Sequence, residues 1–269
     1  MNTGALVYAF SGDIDYVKIA AESAKRIKRH LNIPVTLVTD TESNLNVFDT
    51  QIIVERNPQS SFRAFADREA RVKWFNRSRC TALEITPYDY TLLVDADYWI
   101  GSPTLLPILE KQPDFCAYKK RQYTNESEPK TEKFGIPGYD MWWATVCGFS
   151  KNSKFTNDVF DSWQMIEDNY AHYANVFNFS KQPFRNDYAL SIALYIAAGH
   201  RLTDEFFCSW PLFNSHASET VQKNAPNSYN IVYHKTVNKR QKLMRNTIND
   251  FDIHVMNKLS LENIIETDL

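Results

Sequence analysis

A parallel α/β sheet with helices over both faces is predicted for this chain by two observations. The first is a strand–helix–strand succession with apolar strands: Ala5 to Phe10, a helix over Asp15 to Leu31, then Pro34 to Thr39. Strands buried on both faces read as continuous apolar runs, because helices cover a parallel sheet on each side. The second is the apolar run Tyr90-Thr91-Leu92-Leu93-Val94, which leads straight into Asp95-Ala96-Asp97 and on to Tyr98-Trp99-Ile100. Residues two apart in a strand point to the same side, so both carboxylates can face one cation or phosphate group. Two acids held together repel each other and lose hydration unless a metal or a cationic group neutralises them. Hard divalent cations such as Mg²⁺ and Mn²⁺ take oxygen ligands of this kind, often completed by substrate phosphates. A polar strand end meeting solvent is the plainer reading of an isolated D-x-D.

The elements follow in order. In the first helix Val17, Ala20, Ala21, Ala24, Ile27 and Leu31 form an apolar stripe, with Lys25, Arg26, Lys28 and Arg29 opposite. Asp13 or Asp15 can cap it. Gln51 to Val54 predicts a short third strand. Phe65 to Glu84 reads as a helix with a solvated basic face of Arg68, Arg71, Lys73, Arg77 and Arg79; Arg77 stands out because this helix feeds the Asp95 strand. Pro103 to Glu110 is a short helix and Asp114 to Tyr118 a strand. Lys119 to Asp140 is polar, with two prolines and two glycines, and reads as a mobile loop. Met141 to Phe149 resumes strand character. Helices follow over Ser153 to Tyr170, opened by a Ser/Asn cap, and over Arg185 to Ala198, closed by Gly199. Ser228 to His234 is a late strand, and the tail after Arg240 suits a helix packed on the body. Ligands of such sheets bind outside the carboxyl ends of the strands, where Phe10 to Tyr16, Asp40 and Asp95 to Asp97 converge.

Composition is that of a globular protein: 269 residues, 43% hydrophobic and 23% charged. The net charge of −2 provides no overall basic field for nucleic acid or membrane, which leaves only a local patch for such a role. Seven glycines, and neither a P-loop nor a G-x-G-x-x-G, mean that any nucleotide is held by another device. Cys80, Cys116, Cys147 and Cys208 are widely spaced, which argues against a zinc or redox motif and for buried free thiols in a reducing compartment. No charged, then apolar, leader precedes the first strand, and the longest apolar stretch, around Leu190 to Ala198, is too short to span a bilayer. A soluble, cytoplasmic protein is expected, with one domain over 1–240 and a packed tail over 241–269.

Across roughly residues 4 to 240 these segments resemble the GT-A-fold, nucleotide-sugar-dependent glycosyltransferases, and most closely the glycogenin-like group (family 8), which includes bacterial lipooligosaccharide galactosyltransferases. The likeness is carried by Tyr8-Ala9-Phe10-Ser11-Gly12-Asp13-Ile14-Asp15-Tyr16, by Val38-Thr39-Asp40 and, most specifically, by Thr86 to Asp97. Val146-Cys147-Gly148-Phe149, Arg185-Asn186-Asp187-Tyr188 and Ile231-Val232-Tyr233-His234 complete it. The resemblance implies a Rossmann-like, mixed but mainly parallel central sheet flanked by helices. It implies a UDP-linked sugar donor held by Ala9, Phe10, Asp13, Tyr16 and Asp40, with Tyr16 stacked on the base, an interaction of roughly 1–3 kcal/mol. It implies Mn²⁺ or Mg²⁺ on Asp95, Asp97 and His234, with Ala96 between the aspartates near the donor. Arg240, Lys239 or Lys235 meets the phosphates, Arg77 reaches the donor, and Asp187 contacts the transferred sugar. Tyr16 also suits helix-start packing, and Asp187 a first-turn acid favoured by the helix dipole. The family's Asn-Ser before Gly148 is absent, and so is its glycine near Lys239. Gly148 suits close ligand approach or plain packing, and Trp142-Trp143 sugar stacking or core.

The implied reaction is metal-dependent glycosyl transfer with retention, to an acceptor that is a glycan, a lipid-linked sugar, a protein or a modified DNA base. With no evident nucleophile for a double displacement, same-face attack by the acceptor is the economical route. The alternatives are a nucleotidyltransferase acting on sugar phosphates, which normally has a Gly-rich basic loop unlike Ser11-Gly12-Asp13, and a non-catalytic sugar-nucleotide binder. An aspartyl phosphatase is disfavoured by Trp99 where a small hydroxyl residue belongs.

Overall fold

The computed structural model describes residues 2–55, 62–73, 78–135, 138–201, 208, 210–225 and 228–267. Strand β1 (Thr3–Tyr8) leads to helix α1 (Tyr16–Leu31), which starts where the Asp15 side chain accepts the Lys18 N–H and ends at Asn32 in the left-handed region. Strands β2 (Val35–Thr39) and β3 (Thr50–Ile53) follow. A small hairpin, β4 (Phe62–Ala64) with β5 (Arg71–Lys73), precedes a 3₁₀ turn over Ser78–Thr81 and α2 (Ala82–Ile85). Then come β6 (Tyr90–Asp95), β7 (Tyr98–Trp99), α3 (Leu106–Lys111) and β8 (Phe115–Tyr118). Four short strands, β9 (Lys120–Tyr123), β10 (Lys130–Thr131), β11 (Lys133–Phe134) and β12 (Tyr139–Asp140), lead to the long β13 (Trp143–Ser150). Helices α4 (Lys154–Asp168), α5 (Tyr170–Val176) and α6 (Asn186–Ala197) come next. The chain closes with β14 (Leu212–Asn214), β15 (Thr220–Ala225), β16 (Ser228–Val237), β17 (Arg240–Asn249), β18 (Ile253–His254) and α7 (Lys258–Thr267).

The central sheet has the order β3-β2-β1-β6-β13-β8. The first four strands are parallel, and β13 runs antiparallel to both β6 and β8. This is the mixed, mainly parallel sheet expected from the sequence. Every residue of β2, and every residue of β6 before Asp95, is buried, as all-apolar strands between helical layers require. α1 packs on β1 and β2, while α6 lies on β13 with α4 against it. Gly148 has Tyr90 Oη and Cys116 Sγ within 3 Å of where a Cβ would be, so it is a packing glycine. All four cysteines are buried and free. Among the described residues no helix is long and apolar enough to cross a membrane.

A second sheet, ordered β10-β9-β14-β18-β7, stands beside the first and shares its chain at β7, which begins three residues beyond Asp95. In it His254 pairs with Tyr98 and Asn214 pairs with His254. This sheet corrects several expectations. Lys119 to Asp140 is not an irregular loop, because β9 is gripped between β10 and β14. Phe65 to Glu84 is not one helix. Ala64 O accepts the Phe184 N–H, a tertiary contact invisible to local pattern, and the brief α2 stops at Thr86, which is held extended before Pro87. The late strand continues past His234 to Val237, and the tail is a strand before it is a helix, because β16 and β17 pair register for register through a two-residue turn.

Gly4 sits in β1 with the Tyr88 ring 2.3 Å from the position of a Cβ, and that ring is held by its hydroxyl on Thr36 Oγ1 at 2.8 Å. Gly4→Ala is therefore expected to overpack the sheet edge and to lower stability by about 1–3 kcal/mol in denaturant unfolding; an unchanged midpoint would refute that packing.

Candidate active site

The carboxyl ends of β1 and β6 and the amino end of the antiparallel β13 meet the second sheet at a cavity of about 670 Å³. Register explains why Asp97 and His254 meet. Tyr98 and His254 are cross-strand partners, and the Val255 N–H donates to Asp97 O at 2.9 Å, so the two side chains sit beside each other. One ligand atom from each of Asp95, Asp97 and His254 lies within 4.8 Å of the others. His254 Nδ1–H donates to the Asn214 side-chain oxygen at 2.8 Å, which fixes the ring. Its Nε2 then lies 3.2 Å from Asp97 Oδ1. For a neutral imidazole that sets lone pair against lone pair, which is relieved by a proton on Nε2 or by a cation shared between the two.

Each aspartate also has a basic partner. Arg79, fully buried in the turn before α2, reaches Asp95 at 2.6 Å and also donates to Ala144 O. Lys258, at the start of α7, pairs with Asp97. Burial pushes the Asp95 carboxyl up from its usual range, and the neighbouring Asp97 charge adds to this against the pull of Arg79. Burial alone would raise Asp97 too, but Lys258 and His254 overcome it and hold Asp97 well below the usual range.

Opposite this cluster, Asp187 opens α6. Its carboxylate takes Arg185 at 2.7 Å and the Ala144 N–H at 3.0 Å. Ala144 is free to serve both Asp187 and Arg79 because β13 slips register against β8 between Trp143 and Cys147, a bulge that releases its backbone. The guanidinium groups of Arg121 and Arg185 lie 4.8 and 5.7 Å from the Trp143 ring centre. Arg63 from β4, Tyr123 from β9 and Tyr16 from α1 complete the wall.

Of the residues expected at the site, Ala9, Phe10, Asp13, Tyr16, Asp95, Ala96, Asp97 and Asp187 line the cavity. Trp143 lines it as well, while Trp142 is core. Asp40 is placed differently: it accepts the Ser11 N–H and hydroxyl at 2.8 Å each and so shapes the β1–α1 loop rather than the wall. Arg77 falls outside the described residues; the arginine on Asp95 is Arg79, which sequence reading had left on a solvated face. His234 is exposed on β16, and the histidine beside the aspartates is His254, because the long β16–β17 hairpin carries residue 234 away from the cleft. Lys239 and Arg240 are exposed at that hairpin's turn, and Lys258 is the basic residue at the aspartates. One available signal was a second histidine followed within a few residues by a basic one, His254 and Lys258, as His234 is followed by Lys239 and Arg240.

No family model matches the chain, and no curated protein matches it. Solved structures with partial likeness are glycosyltransferases. The galactosyltransferase LgtC in complex with donor and acceptor sugar analogues is 15% identical, over 71% of this chain and 70% of that one, with a TM-score of 0.45. The glycosyltransferase GlyE of Streptococcus pneumoniae TIGR4 is 12% identical over 71% of this chain and 43% of its own, at 0.43. S. aureus TarS 1–349 in complex with UDP is 15% identical over 73% and 56%, at 0.40.

Arg185 and the Ala144 N–H hold the Asp187 carboxyl below its ordinary range even though burial opposes them. A carboxylate of that kind stabilises the fold above its unfolded value of 3.8, and the contribution is lost as pH falls through the lower folded value. Asp187→Asn should therefore be less stable than the native protein at pH 7 and lose less further stability between pH 4 and 2. Parallel acid limbs in thermal melts would contradict this.

Proposed function

We propose that this protein is a glycosyltransferase that moves a sugar from a nucleoside-diphosphate sugar, with uridine as the base, to an acceptor hydroxyl, with a divalent cation and with retention of configuration. The reading is carried by one arrangement: Asp95, Asp97 and His254 converge, with an imidazole nitrogen 3.2 Å from a carboxylate oxygen, in a cavity of the size small ligands occupy. Two carboxylates and an imidazole oriented through its other nitrogen suit Mn²⁺ or Mg²⁺.

When bound, the cation would supply Lewis-acid charge for the departing diphosphate. The chain's own groups do the rest. Tyr16 is half-buried in the wall and offers its face to the base. Lys258 exchanges its Asp97 partner for donor phosphate, while buried Arg79 keeps Asp95 charged and in place. Charges fixed by buried partners need little reorganisation as the reaction proceeds. The bond from the anomeric carbon to the diphosphate oxygen breaks, the acceptor oxygen bonds on the same face, and its proton leaves with the diphosphate. Asp187, locked by Arg185 and Ala144, presents a carboxylate to the positive charge that develops on the sugar.

The test is release of nucleoside diphosphate from a panel of sugar nucleotides, with Mn²⁺ or with EDTA. Release from one donor is expected, abolished by EDTA and by Asp97→Ala. His254→Ala should lower it by about 10²–10³-fold, whereas His234→Ala should leave it within about twofold, because the structure leaves His234 exposed on the hairpin, outside the cavity wall. EDTA-resistant release would remove the metal from the proposal and leave Arg79 and Lys258 as the phosphate-binding charges. No release, with no calorimetric binding of any nucleotide, would sink the reading.

A further inference from the structure

The strands β15, β16 and β17 form their own sheet, and its outer part projects as a two-stranded ribbon. Residues 220–249 hold six of the chain's 30 Lys and Arg, namely Lys223, Lys235, Lys239, Arg240, Lys242 and Arg245, and none of its 32 Asp and Glu. The remainder of the chain is correspondingly acidic. From His234 to Leu243 every described side chain is exposed, so both faces of the ribbon meet solvent. At about 3.4 Å per residue, five residues on each arm reach roughly 17 Å beyond the body.

Two features of this ribbon work against its own stability. Lys235 and Lys242 are direct cross-strand partners, and like charges directly opposite each other are unfavourable. Asn238 and Lys239 form the two-residue turn, with φ of 51° and 64°. A turn with both φ positive favours glycine at its second position, yet a lysine stands there. A fold that keeps such choices where packing does not demand them does so for a partner.

We propose that this ribbon docks duplex nucleic acid, and that a nucleic acid is the acceptor of the transfer proposed above, on which this second half rests. The major groove admits a two-stranded β-ribbon and is about 12 Å wide. Besides the cations, the arms carry Thr236, Asn238 and Gln241, side chains that bond to phosphates and base edges. An anionic membrane is the less suited polyanion, because from His234 to Leu243 the only apolar residues are Val237 and Leu243, with no aromatic to insert. The ribbon root also adjoins the cleft. Asn246 Nδ2 donates to Thr124 O at 3.0 Å, and His216 stacks on Tyr123 at 3.8 Å, with Tyr123 and Arg121 in the cavity wall. The guanidinium groups of Arg121 and Arg185 lie near Trp143 in the same wall, each paired with a carboxylate, Glu132 and Asp187.

The experiment is fluorescence anisotropy with a labelled DNA duplex of about 20 base pairs, titrated at several KCl concentrations, beside flotation with phosphatidylserine-containing vesicles. The full chain should bind the duplex with a steep salt dependence. Lys235→Glu/Lys242→Glu should weaken binding at least tenfold and reduce the slope of log K against log salt by about two. Lys235→Gln/Lys242→Gln, which removes charge without adding any, should act in the same direction, with its thermal melt at or above that of the native chain. Donor hydrolysis should be the same in all three proteins. Native-like duplex binding by both variants, no duplex binding by the native chain, or capture by vesicles without duplex binding would each overturn the proposal. Loss of donor hydrolysis in the native chain with duplex binding intact would fell the transfer reading and leave the docking surface standing. Duplex binding with no sugar incorporated into DNA bearing hydroxymethylated bases, while donor hydrolysis is active, would remove the acceptor half.

Discussion

Two carboxylates forced together at the end of a buried strand are the constraint from which the rest of the architecture follows. Asp95 and Asp97 lose much of their water when β6 is covered, and the loss is tolerable only if positive charge stands in its place. The chain provides it from distant segments, Arg79 from before α2 and Lys258 from beyond β17, and sets His254 beside them. The second sheet is the scaffold that makes this possible. Without β18 paired between β14 and β7, nothing would bring His254 to within 3.2 Å of Asp97. The bulge in β13 has the same logic, since regular pairing to β8 would occupy backbone groups that Ala144 instead gives to Asp187 and Arg79.

The cleft is therefore charged in alternation. Anions and cations are matched in pairs that a ligand can exchange, rather than arrayed as a single-sign field. On the proposed function, a donor diphosphate would find Lys258 already paired and largely buried, and a cation would find the aspartates already held. Such exchange costs less reorganisation than building either site from solvent. The same pairing extends along the wall beside Trp143, where Arg185 is matched to Asp187 and Arg121 to Glu132 while both guanidinium groups lie near the ring.

What the sequence made legible was what is local. The apolar strands, the capped α1, the Ser153-capped α4 and the Gly199 stop of α6 all depend on neighbours within a few positions, and all stand where the residues indicate. The D-x-D was visible because both carboxylates lie on one strand end. The other half of the cluster was not, because choosing between His234 and His254 requires knowing that β16 and β17 extend ten residues each before the chain returns. Arg79 was misjudged for a related reason. A basic residue on a pattern that reads as helical looks solvated until the anion it neutralises is placed beside it, and that anion comes from the next strand. The segment Lys119 to Asp140 has loop composition because its strands are two to four residues long, too short for alternation to show, and the longest of them, β9, is held by β14, which lies far along the chain.

Asp97 and His254 are more than half the chain apart, and Lys258 lies later still. On a ribosome the strands of the central sheet, through β13, emerge long before either partner of Asp97 exists. The sheet can gather its core early, but its carboxylate pair lacks part of its neutralising charge until the segment after residue 250 is threaded between β7 and β14. Long-range closures of this kind are slow to form, so completion of the centre is a late event in the life of the molecule. A clip or frameshift after β17 would leave much of the core buried and the chemistry missing, and the protein signals its own completeness by the charge balance at one strand end.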